Sequence, residues 1–424
     1  MTSSTVDTAA SGWLARERCR LDDFISVVSQ QTDKDDYPFS DDVEQGVLLY
    51  SAATLRSVVD EPQGRRRVQA ELARALMDGP GIVVFKGAFD DVGVVDRATA
   101  AFRELIDDQR RRGVASGDHF AKPGANDRVW NALEKLALHH PRTFVDYYSN
   151  DILNLVSVAW LGPGYQVTSQ VNVVNPGGTA QTAHRDYHLG FMSEEQAASY
   201  PSHIHRLTPA LTLQGAVAHS DMPVETGPTL YLPHSQKYEP GYLAFHLPDF
   251  SDYFEANYVQ LPLDAGDAAF FNPALFHGAG SNRSADVRRM ANLLQVSSAF
   301  GRAMESVDRA AMLGAVFPAL RELRRAGTSD TAIRNAIAAT AEGYAFPTDL
   351  DKDAPVDGLA PETQAELAWR APRPLVRKRR RAPTTSFGTS SSRVVNRFQR
   401  SRSITSHSAS RGRMRAASCE TRSW

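Results

Sequence analysis

Apolar residues recur at helical spacing over residues 65–77, where Val68, Leu72, Ala75 and Leu76 form one stripe. Gly79, Pro80 and Gly81 predict where that helix stops. The next stretch, 82–85, is apolar at every position and β-branched at most of them, which reads as a buried strand. Amphipathic helices are predicted over 92–112, with Arg97, Arg103, Glu104, Asp107 and Asp108 on the polar side, and over 143–160. Residues 1–62 read as helical pieces joined by an acidic turn at 33–38.

From 165 to 298 the pattern changes to short strands, predicted at 166–174, 210–218, 229–232, 258–261, 268–272 and 290–298. Between them stand breakers such as Asn175-Pro176-Gly177-Gly178, Glu225-Thr226-Gly227-Pro228 and Asp264-Ala265-Gly266-Asp267. Many short strands with such punctuation predict a sandwich or barrel. After 301 the text is Ala-rich and helical again, over 304–325 and 330–341. The expected fold class is therefore a mainly β core with N-terminal and C-terminal helices packed outside it. The expected division is an N-terminal helical region 1–80, a β core with inserted helices 81–301, a C-terminal helical region 302–370 and a basic tail 371–424.

Charge separates the tail from the rest. Residues 371–424 carry 14 Lys and Arg against one acid, Glu420, which leaves 33 basic and 48 acidic residues in the first 370. The tail has too little apolar surface to offset its ordering entropy, so disorder is expected there. Its run Arg377-Lys378-Arg379-Arg380-Arg381 suits a nucleic-acid arm or a nuclear address. The abrupt compositional shift favours a frame-shifted or dispensable extension, and nucleic acid is not an expected partner of the acidic body. Two cysteines, Cys19 and Cys419, give neither a disulfide framework nor a thiolate metal site. Residues 1–7 lack the pattern of a signal peptide, and no run reaches the roughly 18 apolar residues of a spanning helix. A cytoplasmic protein with no membrane partner is expected, its oligomeric state unspecified.

The candidate chemistry sits in His184-Arg185-Asp186. On a strand, positions i and i+2 face the same side, so an imidazole and a carboxylate can converge on one ion. Two histidines and a carboxylate make the facial triad of non-haem Fe(II) oxygenases. The third ligand is expected at the end of a later strand, where His277 follows the apolar stretch 268–276. A second triplet, His219-Ser220-Asp221, competes, and spacing alone does not choose between them.

Three segments together resemble the phytanoyl-CoA dioxygenase family. His277-Gly278-Ala279-Gly280-Ser281-Asn282-Arg283-Ser284, with Arg288 eleven positions after the histidine, resembles its C-terminal signature. Residues 225–237 resemble its NGPL-x-x-x-PGSH segment, and the triplet at 184–186 precedes both in the family's order. The resemblance covers about 80–300. It implies a double-stranded β-helix (jelly roll, cupin-like) holding Fe(II) through His184, Asp186 and His277, with 2-oxoglutarate as cosubstrate and O2 as oxidant. The implied activity is a non-haem dioxygenase that hydroxylates a small organic substrate while converting 2-oxoglutarate to succinate and CO2. A jelly-roll metal-binding protein or isomerase without 2-oxoglutarate turnover is the alternative.

Arg288 fits the cosubstrate's far carboxylate, because a guanidinium offers a bidentate fork; Arg289, on the other face of the same strand, is its alternative. Ala279 stands where the family often has Ser, so Thr179, Gln181 or Asn172 is expected to supply the missing polar contact. Asp186 is a carboxylate, and halogenases of this fold commonly lack one, which favours hydroxylation. By the same reading His219 and Asp221 are structural or pocket-lining. Tyr187 and His188, beside the triplet, are expected to meet substrate, as are Asp118, His119, Lys122, Asn126, Arg128 and Trp130 in a loop rich in polar and aromatic groups. No basic cradle for CoA phosphates is evident in the acidic body.

Overall fold

The computed structural model describes residues 12–113, 125–355 and 358–371. Its strands are β1 (Asp42–Glu44), β2 (Val47–Ser51), β3 (Ile82–Lys86), β4 (Asn126–Val129), β5 (Gln166–Val174), β6 (Thr212–Ala218), β7 (Leu230–Leu232), β8 (Val259–Gln260), β9 (Ala268–Phe271), β10 (Phe276–Gly278) and β11 (Arg289–Ser297). Eight of them form one sheet in the order β1-β2-β3-β9-β6-β11-β5-β4, and three form a second, β10-β7-β8. A single antiparallel bridge joins His184 to His277 and adds the segment before the triplet to the edge of the small sheet.

Alternation along the strands decides which side chains meet which layer. Val167, Val171 and Val173 of β5, Leu213 and Val217 of β6, and Met290, Leu294 and Val296 of β11 pack outward against helices. The residues between them face the small sheet: Ala216, Ala218, Ala269, Phe271 and Ala291 share a second apolar cluster with Tyr231 of β7. Two sheets closed over that inner cluster make the double-stranded β-helix that the family resemblance implied.

The helices Pro62–Met77, Val92–Arg111, Pro141–Tyr148, Asp151–Leu161, Arg309–Arg325 and Asp330–Thr340 cover the outer face of the large sheet. The apolar cluster beneath them runs from Tyr37 to Trp369, continuous across positions 80 and 301. No helix among the described residues is long and apolar enough to cross a membrane.

Three elements differ from the sequence expectation. The region before 62 is not purely helical, because β1 and β2 form a hairpin whose turn residues Gln45 and Gly46 have φ of 51° and 82°. β2 pairs in parallel with β3 and widens the large sheet. Residues 126–129, expected in a loop, form β4 and pair with β5. The helix expected over 143–160 is two helices, because Asn150 leaves helical geometry and caps the second by accepting from the Leu153 N–H at 3.0 Å.

Candidate metal centre

His184, Asp186 and His277 come together, with one ligand atom of each lying within 4.8 Å of the others. Reciprocal backbone bonds hold the two histidines side by side: His184 N–H donates to His277 O (3.0 Å) and His277 N–H to His184 O (3.2 Å). Asp186 is fixed by its own N–H donating to Pro273 O at 3.0 Å. The triplet converges through this one bridge and not as part of a regular strand. The chain then turns sharply, with Tyr187 and His188 at φ of 62° and 46°, into the short helical turn His188–Phe191.

Each imidazole is held in one tautomer. His184 Nδ1 lies 2.9 Å from Thr182 O, and His277 Nδ1 lies 2.9 Å from Leu275 O. A carbonyl at Nδ1 places the ring proton there and leaves Nε2 as a free base for a metal. The two Nε2 atoms then face the carboxylate, His184 at 3.7 Å from Asp186 Oδ1 and His277 at 3.4 Å from Oδ2. His277 Nε2 is buried with no hydrogen-bond partner among the described residues. A buried lone pair without a partner costs free energy unless something occupies it, and a divalent cation fits this donor set. Burial alone would raise the Asp186 pKa, but the charge of the His184 and His277 rings when protonated, with the hydrogen bond from Gln214, holds it well below the usual carboxylate range, and a cation bound between the three would take the place of that charge. The carboxylate is therefore charged and ready to bind a cation.

Gln214, on the inner face of β6, donates through Nε2 to Asp186 Oδ2 at 2.5 Å. Outer partners of this kind orient the ligand and tune its basicity. Gln214→Leu is expected to weaken metal affinity about 10–100-fold without unfolding the protein, read by metal titration beside a thermal melt.

The rival triplet lies elsewhere. His219 is buried between the large sheet and the helices, its Nδ1 2.8 Å from Thr99 Oγ1 and its Nε2 2.9 Å from Tyr147 Oη. Burial lowers its pKa to about 3, and Asp221 accepts from the Ala265 N–H. Both are structural. His219→Ala is expected to leave metal affinity within about twofold while costing about 2 kcal/mol of stability, from the partners it strands. Because its folded pKa lies below that of the unfolded chain, stability falls as pH drops from about 6.5 towards 3. That slope should flatten in the variant when denaturant midpoints are measured against pH.

The two arginines separate clearly. Arg288 is 53% exposed in its side chain and pairs with Asp127 Oδ2 (3.1 Å) and Asn175 Oδ1 (2.9 Å) on the outer surface. Arg289 opens β11 with the same parity as Ala291, so it faces inward; it is 6% exposed, and its Nε has no partner among the described residues. Burial lowers its pKa to about 10, with Tyr231 beside it. Tyr231 is paired with His277 across β7 and β10, and its ring packs on Phe271, which in turn packs on His277. A buried guanidinium with no carboxylate paired to it among the described residues thus shares the compartment of the candidate ligands.

Of the other expected site residues, Asn172 faces inward on β5, with a buried Oδ1 that lacks a partner among the described residues. Gln181 accepts from the Ala279 N–H through Oε1 and supports that turn, while Thr179 is exposed. His188 does not point to the ligand face, since no strand continues to it; its Nδ1 meets Thr208 Oγ1. Tyr187 is buried beside Asp186. Arg128 lies inward on β4, donates to Gln170 Oε1 at 2.8 Å and stacks over Trp130. Asp118, His119 and Lys122 lie outside the described residues. Sequence reasoning missed Gln214, Gln170 and Gln295, whose only signal was an amide at an inward position of a buried strand.

A family model described as phytanoyl-CoA dioxygenase matches residues 77–290. The dioxygenase cdmD of Talaromyces verruculosus is 34% identical over 117 residues, spanning 27% of this chain and 34% of that protein. The chain therefore matches about a third of the length of that relative. Similar solved structures include the non-haem α-ketoglutarate-dependent carbocyclase SnoK from nogalamycin biosynthesis (21% identity, TM-score 0.39, 54% of this chain and 83% of that one). Another is HygX from Streptomyces hygroscopicus with nickel, 2-oxoglutarate and hygromycin B bound (15% identity, TM-score 0.38, 56% and 90%). With the family model spanning half the chain and including the triplet, the second segment and His277, this chain belongs to the phytanoyl-CoA dioxygenase family.

Proposed function

We propose that the protein is a hydroxylase of this iron- and 2-oxoglutarate-dependent family, acting on a small organic molecule in the cytoplasm. The observation that carries the reading is the buried Nε2 of His277, which has no hydrogen-bond partner among the described residues and converges with His184 on Asp186. Fe(II) held there, with 2-oxoglutarate and O2, supplies oxidation of a substrate C–H bond coupled to release of succinate and CO2. The chain's own part is electrostatic and positional. Asp186 offers the anionic ligand, the two histidines are fixed by Thr182 and Leu275 carbonyls, and Gln214 holds the carboxylate in place. Arg289 replaces Arg288 as the group proposed to hold the far carboxylate of 2-oxoglutarate, since a buried cation with no anion paired to it among the described residues is matched by one. Asn172 on the large sheet and Tyr231 on the small sheet both face inward and are proposed to line the cosubstrate's site.

A retained carboxylate ligand supports hydroxylation over halogenation, which needs that position for halide. Carbocyclisation and epimerisation, the activities named for relatives of this fold, insert no oxygen into product. Anaerobic reconstitution with Fe(II), followed by addition of 2-oxoglutarate and isotopically labelled O2, tests the reading. Succinate release and label in the product are expected; no binding and no turnover of 2-oxoglutarate would remove the proposal and leave a metal-binding jelly roll or isomerase.

A further inference from the structure

The inner face of the large sheet changes character along its length. Around Ile82, Val84, Ala218, Met222, Leu261 and Ala291 it is apolar and closed. Beyond the metal it carries a row of amides. Gln214 on β6 is the register partner of Gln295 on β11. Gln295 Oε1 lies 3.4 Å from Gln170 Nε2 on β5, and Gln170 Oε1 accepts from Arg128 at 2.8 Å. Three amides on adjacent strands thus run from the Asp186 carboxylate towards the edge of the sheet.

Two further groups close over this row. Glu305, on the segment after β11, accepts from the Asn131 N–H at 2.8 Å and sits beside Gln170, Arg128 and Lys135; its Oε2 is buried without a hydrogen bond among the described residues. Tyr187 is 3% exposed, with its phenol beside Asp186, Gln295 and Glu305. It is placed there by two successive non-glycine residues at positive φ, a costly geometry that persists where surrounding structure or function requires it.

Buried amides, a phenol and a carboxylate oxygen are expensive to leave unmet and favour a ligand that can hydrogen-bond. An alkyl chain laid on this row would leave Gln214 Oε1, the Tyr187 phenol and Glu305 Oε2 without a partner among the described residues, while Gln170 and Gln295 keep each other and Arg128. Glu305 has Arg128 and Lys135 beside it, so its charge does not itself call for a cationic substrate. Resting on the proposed hydroxylase reading, we propose that the substrate presents an uncharged, hydroxyl- or amide-rich surface to Gln170, Gln214, Gln295, Glu305 and Tyr187 beside the metal. The reacting C–H bond then belongs to a polyfunctional polar molecule and not to a fatty acyl chain.

The test uses the full chain loaded with Mn(II) and 2-oxoglutarate, and reads paramagnetic relaxation of two soluble probes, methyl glucoside and hexanol. Electron paramagnetic resonance first establishes that Mn(II) is held and that 2-oxoglutarate binds; failure at that step removes the hydroxylase reading and this inference with it. With the metal in place, relaxation of methyl glucoside is expected to exceed that of hexanol at least about tenfold, one hydrogen bond's worth of selectivity. The double variant Gln170→Leu, Gln295→Leu should abolish or invert that preference while still binding Mn(II). Equal or greater relaxation of hexanol, or no enhancement of either probe above a His277→Ala control, overturns the inference and leaves metal and cosubstrate binding standing.

Discussion

His277→Ala is expected to lower metal affinity by about two orders of magnitude or more and to abolish 2-oxoglutarate turnover. Structural sites with four ligands bind a divalent metal with about 10–16 kcal/mol, so one ligand is worth roughly 3 kcal/mol, about a hundredfold in affinity. The loss should be larger at His277 than at His184. His277 is buried and its Nε2 has no other use, whereas His184 keeps 27% of its side chain exposed, where water can take its place. Fold stability should change little or even increase without metal, because removing an unsatisfied buried nitrogen relieves a cost. Titration with Co(II) or Fe(II), monitored by absorbance and by calorimetry, measures the affinity, and a denaturant melt of the metal-free variant measures stability. Retention of metal affinity within a few fold of the parent would assign the third ligand elsewhere.

The contrast between these histidines and His219 shows what the sequence could and could not convey. All three stand in or near apolar strands, and two belong to the same kind of triplet. What separates them is the sheet face on which each ring emerges. His219 follows β6 on the outward side and finds Thr99 and Tyr147 among the helices, while His184 and His277 meet at the edge of the small sheet. The long apolar strands were legible because period-two alternation and turn residues mark them; β5 runs over the expected residues, and β11 is displaced by one. The β1–β2 hairpin was not, because Asp42 and Glu44 are polar and the pairing with β3 is a long-range event. The amide row escaped notice for the same reason: Gln170, Gln214 and Gln295 lie far apart in the chain and become a surface only when β5, β11 and β6 pair.

That one-residue displacement of β11 carries the second large effect. The family resemblance favoured Arg288, eleven positions after His277, but β11 begins at Arg289, and alternation turns this second arginine inward. Arg289→Ala is expected to raise the 2-oxoglutarate KM by about 30-fold to several thousandfold, since truncating one partner of a buried charge pair costs about 2–5 kcal/mol. Metal affinity in the absence of cosubstrate should stay within a few fold, because the guanidinium touches no proposed ligand. Arg289→Lys should recover only part of the loss, a point charge being unable to form the bidentate fork. Arg288→Ala serves as the internal contrast: its ion pair with Asp127 is half-exposed and worth about 0–1 kcal/mol, so KM should shift less than about threefold. Measuring succinate formation against 2-oxoglutarate concentration for the three variants decides the matter, and a large KM effect at Arg288 with none at Arg289 would return the anchor to the position that the family resemblance selected.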